Sequence, residues 1–346
     1  MKRKIGVIRD ERFLEHKTGI IHPEHPNRLK YLYNLIDAEF TRVSEFVEAK
    51  PITLMDLERV HTPAYVKRVL HTANLEFTHL AQDTPASHRT YLAAWLAAGA
   101  CISGLDWLIA NKRDICFALV RPPGHHALPD RAAGFCVFNN VGVAAVYAMR
   151  VHGFKRILIV DWDVHHGNGI QELFYREERV LYISSHFTNI FPFAGRWEDV
   201  GEGPGEGRTV NIELIKGIED LDLLHIYREV VGEAILRQAP DLIMIAAGFD
   251  LHHQDLFSRA KVTENAFGML TRMILDCKRQ IGDPPMLLAL EGGYRIPALV
   301  KSVREVFNAL TEMDAEAKLP LIRTPVAEGL LTVARGFHSK YHVWTD

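Results

Sequence analysis

Arg156-Ile157-Leu158-Ile159-Val160-Asp161-Trp162-Asp163-Val164-His165-His166-Gly167-Asn168-Gly169 is the stretch around which the chain is organised. Its opening, from Arg156 to Val160, is short, apolar and β-branched, which predicts a buried strand. Side chains two apart share a face of a strand, so Asp161, Asp163 and His165 are expected to line up at its open end. Such a trio provides two metal ligands with a carboxylate behind them. The Gly-rich turn that follows takes the chain sharply away from the strand. The plainer alternative is a turn with capping Asp and surface His, and the density of the polar cluster argues against it.

Further apolar runs predict strands over residues 5–8, 116–120, 180–184, 209–212, 242–246 and 286–290. Helical patterns alternate with them: residues 28–40 behind an Asn27 cap, 53–60, 63–71, an Ala-rich stretch over 88–110, then 141–151, 170–175, 221–238, 263–278 behind a Thr263 cap, and 297–311. Strands alternating with helices imply an α/β fold, a mostly parallel sheet with helices on both faces. With no repeat and no clear linker, the chain reads as a single domain over residues 1–346, a core of about 5–312 followed by a polar tail over 313–346. The glycines of Gly201-Glu202-Gly203-Pro204-Gly205-Glu206-Gly207 do not form a dinucleotide loop, because they precede a strand and carry two acids that would repel a pyrophosphate.

Composition narrows the function. The chain has 346 residues, 48% hydrophobic and 24% charged, with a net charge of −3 and no basic block. Nothing there invites nucleic acid. Cys101, Cys116, Cys136 and Cys277 lie far apart with no C-x-x-C pair, which fits a reducing compartment rather than a disulfide framework. The first residues lack the apolar core of a signal peptide, and no apolar run approaches membrane-spanning length. The expectation is a cytoplasmic protein without a membrane partner.

Ligands of such sheets bind at the carboxyl ends of the strands. There the sequence delivers His125-His126, Asp161-Asp163-His165, His186, Asp250 and Tyr294. Asp163, His165 and Asp250 would offer a divalent cation two carboxylates and one imidazole, leaving coordination open for water. Zinc is favoured, although such an O,O,N set also suits Fe(II) or Co(II).

Taken together, these blocks resemble the histone deacetylase family, including its bacterial amidohydrolase members, within the arginase-like fold. The resemblance rests on Arg121-Pro122-Pro123-Gly124-His125-His126-Ala127, on D-x-D-V-H-H-G-N-G from Asp161, on Gly248-Phe249-Asp250 and on Glu291-Gly292-Gly293-Tyr294, in that order. It implies one catalytic zinc on Asp163, His165 and Asp250. It makes His126 the general base and later the acid, His125 its electrostatic partner backed by Asp161, and Tyr294 the donor to the oxyanion. Asn168 stands where many relatives carry Asp behind the second His, and its neutral amide should favour the free base of His126 at neutral pH. The same resemblance makes Asp161, Asp163, His165, Ser184 and Ser185 a potassium site, with His186 as local structure near it. It makes Gly134, Phe135 and Phe191 walls of an acyl-lysine tunnel, Asp83 a rim carboxylate that holds the substrate backbone, and Arg28 the lining of a product exit channel; the alternative for Arg28 is a buried residue stitching its loop to the sheet. The implied substrates are an acylated lysine in a peptide or protein, or a small acylated amine.

Two departures stand out. Leu256 replaces the Pro commonly found after the third ligand, and Phe257 replaces the small aliphatic residue at the rim. Phe257 cannot attract a distant cation, which argues against acetylpolyamines, and it could narrow the mouth. An arginase-type ureohydrolase would need further acids where this chain has Gly167 and His252. A non-catalytic acyl-lysine binder would be expected to have lost Tyr294, a ligand or the His pair, and none is lost.

Overall fold

The computed structural model describes residues 4–112, 114–311, 319–341 and 343. Its strands are β1 (Ile5–Ile8), β2 (Ser44–Val47), β3 (Phe77–Ala81), β4 (Thr84–Ser87), β5 (Ile115–Ala118), β6 (Ile157–Asp161), β7 (Val180–His186), β8 (Thr209–Glu213), β9 (Leu242–Ala247) and β10 (Met286–Leu290). An eight-stranded sheet runs in the order β2-β1-β5-β10-β9-β6-β7-β8, and its pairs are parallel. Parallel neighbours need crossover connections, and the helices that supply them pack around the sheet. Strands covered on both faces must be apolar, as β9 and β10 are throughout and β6 is up to Val160, with every residue buried. The α/β architecture expected from the alternation of elements is the one observed.

The Ala-rich helix spans Thr90–Ala110 and packs its small residues against the sheet and its neighbours; Gly99 sits so close to the backbone of Lys50 and Ile52 that a Cβ would collide. This helix is long and apolar enough to cross a membrane by composition, contrary to the expectation that no run reaches that length, yet 67% of its apolar window is buried inside the fold. It is a core helix.

Several boundaries differ from expectation for local reasons. Asn27 does not cap the first helix but begins it (Asn27–Leu35), and the helix closes in a π turn over Ile36–Phe40. The helix expected over 221–238 is split by a π turn at Arg228–Gly232, where Gly232 weakens helical continuity. Strand β7 runs on to His186, so Ser185 and His186 belong to the sheet rather than to the following loop. Residues 82–85 form the turn and start of an antiparallel hairpin between β3 and β4 that the apolar runs did not predict. The largest correction is the tail. Pro325–His338 is a helix capped by the Thr324 hydroxyl, and it buries Ala327, Leu331 and Ala334 in the main core. Cys101, Cys116, Cys136 and Cys277 are all buried and unbridged.

Candidate active site

Asp161 is the last residue of β6, so Asp163 and His165 lie beyond the strand and do not converge by alternation along it. They converge by turns. The Asp161 carboxylate accepts the N–H of Asp163 at 3.2 Å, and the Asp163 carboxylate accepts the N–H of His165 at 2.9 Å. Each acid thus closes a turn on the residue two further along, a habit of Asp in loops. From the end of β9, Asp250 accepts the Val164 N–H at 2.9 Å, which locks the neighbouring strand end onto this turn.

The result is a buried cluster. His165 Nδ1 lies 3.0 Å from Asp163 Oδ1 and 3.1 Å from Asp250 Oδ2. One donor atom from each of the three side chains falls within 4.8 Å of the others. Glycines make the room: a Cβ on Gly248 would collide with the Asp163 carboxylate, and one on Gly292 with that of Asp250. Burial, together with the charge of Asp163, pushes the Asp250 carboxyl up to about 7. Burial opposes a charge on His165, but Asp163 and Asp250 outweigh it and push the imidazole up to about 9. A proton on His165 therefore offsets part of the negative charge gathered here. A divalent cation would balance two buried carboxylates better, and the donor set fits zinc.

The Pro-Pro-Gly turn after β5 presents two imidazoles, with ring centroids 4.0 Å apart. His125 Nδ1 lies 3.1 Å from Asp161 Oδ2, which also accepts the Tyr182 hydroxyl at 3.0 Å. Burial disfavours the imidazolium of His125, yet Asp163 and Asp161 overcome it and push the group up to about 10. His126 Nδ1 lies 2.8 Å from the side-chain oxygen of Asn168. Burial, then the positive charge of His125 and His165, drives His126 well below its ordinary value. One imidazole of the pair is held charged and the other neutral, with its Nε2 lone pair free for a proton.

Tyr294 follows β10 on an irregular loop. Burial, helped by Asp250, raises its phenol well above the ordinary range, so it remains a donor. Arg28 lies under its ring, with the guanidinium carbon 5.0 Å from the centroid. The same guanidinium donates to the carbonyls of Gly293 (2.6 Å) and Glu291 (2.5 Å) and to Glu24 (3.0 Å). With each nitrogen engaged, Arg28 stitches its loop to the sheet, as its alternative reading expected. Glu24 and Arg121, both fully buried, complete that network.

Aromatic rings line the approach. Phe191 stands edge-on to His126 at 5.0 Å, Phe257 to His165 at 5.1 Å and to Tyr294 at 5.3 Å, and Phe135 to Tyr294 at 5.5 Å. Gly134, at φ 54°, presses on His126 and Phe191 so closely that a side chain has no space. Asp83, in the hairpin turn, accepts the Gly134 N–H at 3.1 Å. On the far side of β6, Asp161 pairs in register with Ser184 of β7; the Ser184 hydroxyl is 2.8 Å from His186 Nδ1, and that of Ser185 is 2.8 Å from the Tyr227 hydroxyl. His186 also reaches the Gly195 carbonyl, a local structural tie.

Sequence reasoning gave no role to Glu24, Asp255 or Glu291. Glu291 accepts the N–H groups of Gly124 (2.7 Å) and His125 (3.1 Å), joining the Tyr294 loop to the His pair. A cleft of about 510 Å³ at the amino ends of β6 and β7, near Lys155, Arg156 and Arg179, gathers no comparable chemistry among the described residues. Chemistry rather than cavity size locates the site.

Residues 22–310 match the histone deacetylase domain. The chain is 36% identical to histone deacetylase 15 of Arabidopsis thaliana over 97% of its own length and 62% of that protein. It is 37% identical to the histone deacetylase-like amidohydrolase of Pseudomonas aeruginosa over 79% of its length and 72% of that protein. The crystal structure of the HDA15 HD domain superposes with a TM-score of 0.91 at 34% identity, covering 98% of this chain and 96% of that one. The chain therefore belongs to the histone deacetylase family, hydrolases that act on amide bonds.

Proposed function

We propose that the chain is a zinc-dependent deacylase that removes acetyl, or another short acyl group, from an N-acylated amine such as acetyl-lysine. The observation that carries this reading is geometric: His125 on Asp161 and His126 on Asn168 stand side by side next to the buried Asp163–His165–Asp250 cluster. Asp163, His165 and Asp250 would hold the zinc, which when bound would polarise the amide carbonyl as a Lewis acid and make a water molecule more acidic. His126 takes the proton of that water at Nε2 and passes it to the leaving amine. Asn168 fixes the ring of His126, while Asp161 holds His125 as a fixed positive charge. Tyr294 donates its hydroxyl to the developing oxyanion.

Phe135, Phe191 and Phe257 sheathe the stem of an acyl-lysine and exclude water, with Gly134 leaving space for it. Asp83, at the rim, would accept from the substrate backbone. We assign a structural potassium ion to Asp161, Asp163, His165, Ser184 and Ser185, where buried oxygens gather behind the reacting groups. The stitched Arg28 favours a positioning role over lining an exit channel.

The test uses protein stripped of metal and refilled with zinc, given an acetyl-lysine peptide and N-acetylputrescine side by side. Zinc-dependent release from the peptide is expected, with Tyr294→Phe lowering kcat by about 10²–10³-fold. Release from the polyamine alone would overturn the acyl-lysine assignment. No release from either, with zinc tightly bound, would overturn deacetylation.

A further inference from the structure

Asp255 is buried beside the site. It lies in the loop after β9, beyond Asp250 and just before Phe257. Its Oδ2 accepts the N–H of Tyr294 at 2.6 Å and that of Arg295 at 2.9 Å. Its Oδ1 accepts the N–H of Phe257 at 3.3 Å.

The loop that carries Tyr294 has no regular structure, so its buried backbone groups need other partners. Glu291 donates its N–H to the Ala247 carbonyl, and Gly292 donates its own to Asp163. The Gly292 carbonyl accepts from Phe249, and those of Glu291 and Gly293 accept from Arg28. The N–H groups of Tyr294 and Arg295 converge on one oxygen of Asp255. Two successive N–H groups bound to a single carboxylate oxygen restrict the backbone on both sides of the Tyr294 Cα, and so the direction in which its side chain leaves. The rings of Phe135 and Phe257 and the guanidinium of Arg28 then hold the phenol from its faces and edge.

We infer that Asp255 is a positioning residue for Tyr294, holding the backbone of the oxyanion donor so that its hydroxyl meets the carbonyl oxygen only as charge develops there. The inference rests on the deacylase reading above. Misplacing a preorganised donor by about 1 Å costs on the order of 10²-fold in rate. Through the Phe257 N–H, the same carboxylate keeps a tunnel wall in step with that donor.

The experiment compares zinc-loaded wild type, Asp255→Ala, Asp255→Asn and Tyr294→Phe on an acetyl-lysine peptide and its trifluoroacetyl counterpart. Fluorine withdraws electron density from the carbonyl, so attack there depends less on a donor to the oxygen. Asp255→Ala is expected to lose about 10²-fold in kcat on the acetyl peptide. On the trifluoroacetyl peptide the loss should stay under about tenfold, with KM and zinc content near wild type, in the pattern of Tyr294→Phe. Asp255→Asn, whose amide oxygen still accepts both N–H groups, is expected to recover most of the acetyl activity. Equal losses on both peptides would mean a general structural role and overturn the inference. If Asp255→Ala does not fold, Asp255→Glu, whose carboxylate is displaced by one methylene, decides: a loss larger on the acetyl than on the trifluoroacetyl peptide supports the role, and equal losses or an unchanged ratio overturn it. Wild type that cleaves neither peptide would overturn the deacylase reading and the role of Asp255 with it.

Discussion

His126 Nδ1 and the side-chain oxygen of Asn168 lie 2.8 Å apart, so the imidazole proposed as general base is oriented by a neutral amide rather than by a carboxylate. An amide fixes the ring as well as an acid would, but it adds no negative charge to stabilise an imidazolium. Burial and the two neighbouring imidazoles therefore keep His126 well below its ordinary value.

Asn168→Asp would place a full charge at the same distance. Opposite charge favours the protonated ring, so the His126 pKa should rise by roughly one unit or more. The base is active when unprotonated, and the acidic limb of the kcat/KM profile is expected to move to higher pH by the same amount. An unshifted limb, measured across pH 5–9, would mean that another group governs it.

The strands β6, β9 and β10 were legible because a parallel strand buried on both faces must be an unbroken apolar run. The elements that escaped notice are those without such a run. Ser44–Val47 is an edge strand with an exposed Phe46, and Phe77–Ala81 belongs to a hairpin that carries an exposed Phe77. Leu331 and Ala334 were hidden within a segment that looked polar as a whole. The site residues were legible through their strand ends and motif order, although strand alternation was the wrong account of how Asp163 and His165 meet. Glu24 and Asp255 left no trace and Glu291 showed only as a motif letter without a role, because an acid that binds distant backbone N–H groups or a distant guanidinium has no periodicity to reveal it.

Glu24 sits fully buried between Arg121 and Arg28, at 2.5 Å and 3.0 Å. Burial opposes its ionisation, but Arg121 and then Arg28 outweigh that and lower the carboxyl to about 2 from its ordinary value near 4.5. Its folded pKa is depressed, so the stability it contributes is fully present above about pH 4.5 and is lost as the pH falls through about 2. That contribution is about 3 kcal/mol. Glu24→Gln leaves two buried guanidiniums undercompensated and should cost about 3–5 kcal/mol at pH 7. Urea titrations of both proteins should show a gap that is constant above pH 5 and narrows below pH 4.5; a gap independent of pH would refute the linkage.

Phe257 faces three groups of the approach, with ring centroids 5.1 Å from His165, 5.3 Å from Tyr294 and 6.5 Å from Phe135. An aliphatic residue would leave space beside the reacting carbonyl that the phenyl ring fills. Wild type should therefore discriminate against acyl groups longer or more branched than acetyl. One methylene in an apolar pocket is worth about 1–3 kcal/mol of discrimination. Phe257→Leu is expected to raise kcat/KM for a butyryl-lysine peptide relative to the acetyl peptide by about tenfold, within that range. Tyr294 and the zinc ligands keep their own partners in this variant, so acetyl turnover should stay within a few-fold of wild type. A butyryl-to-acetyl ratio that does not move would place the acyl-length limit deeper in the tunnel, at Gly134 and His126, where a side chain has no space.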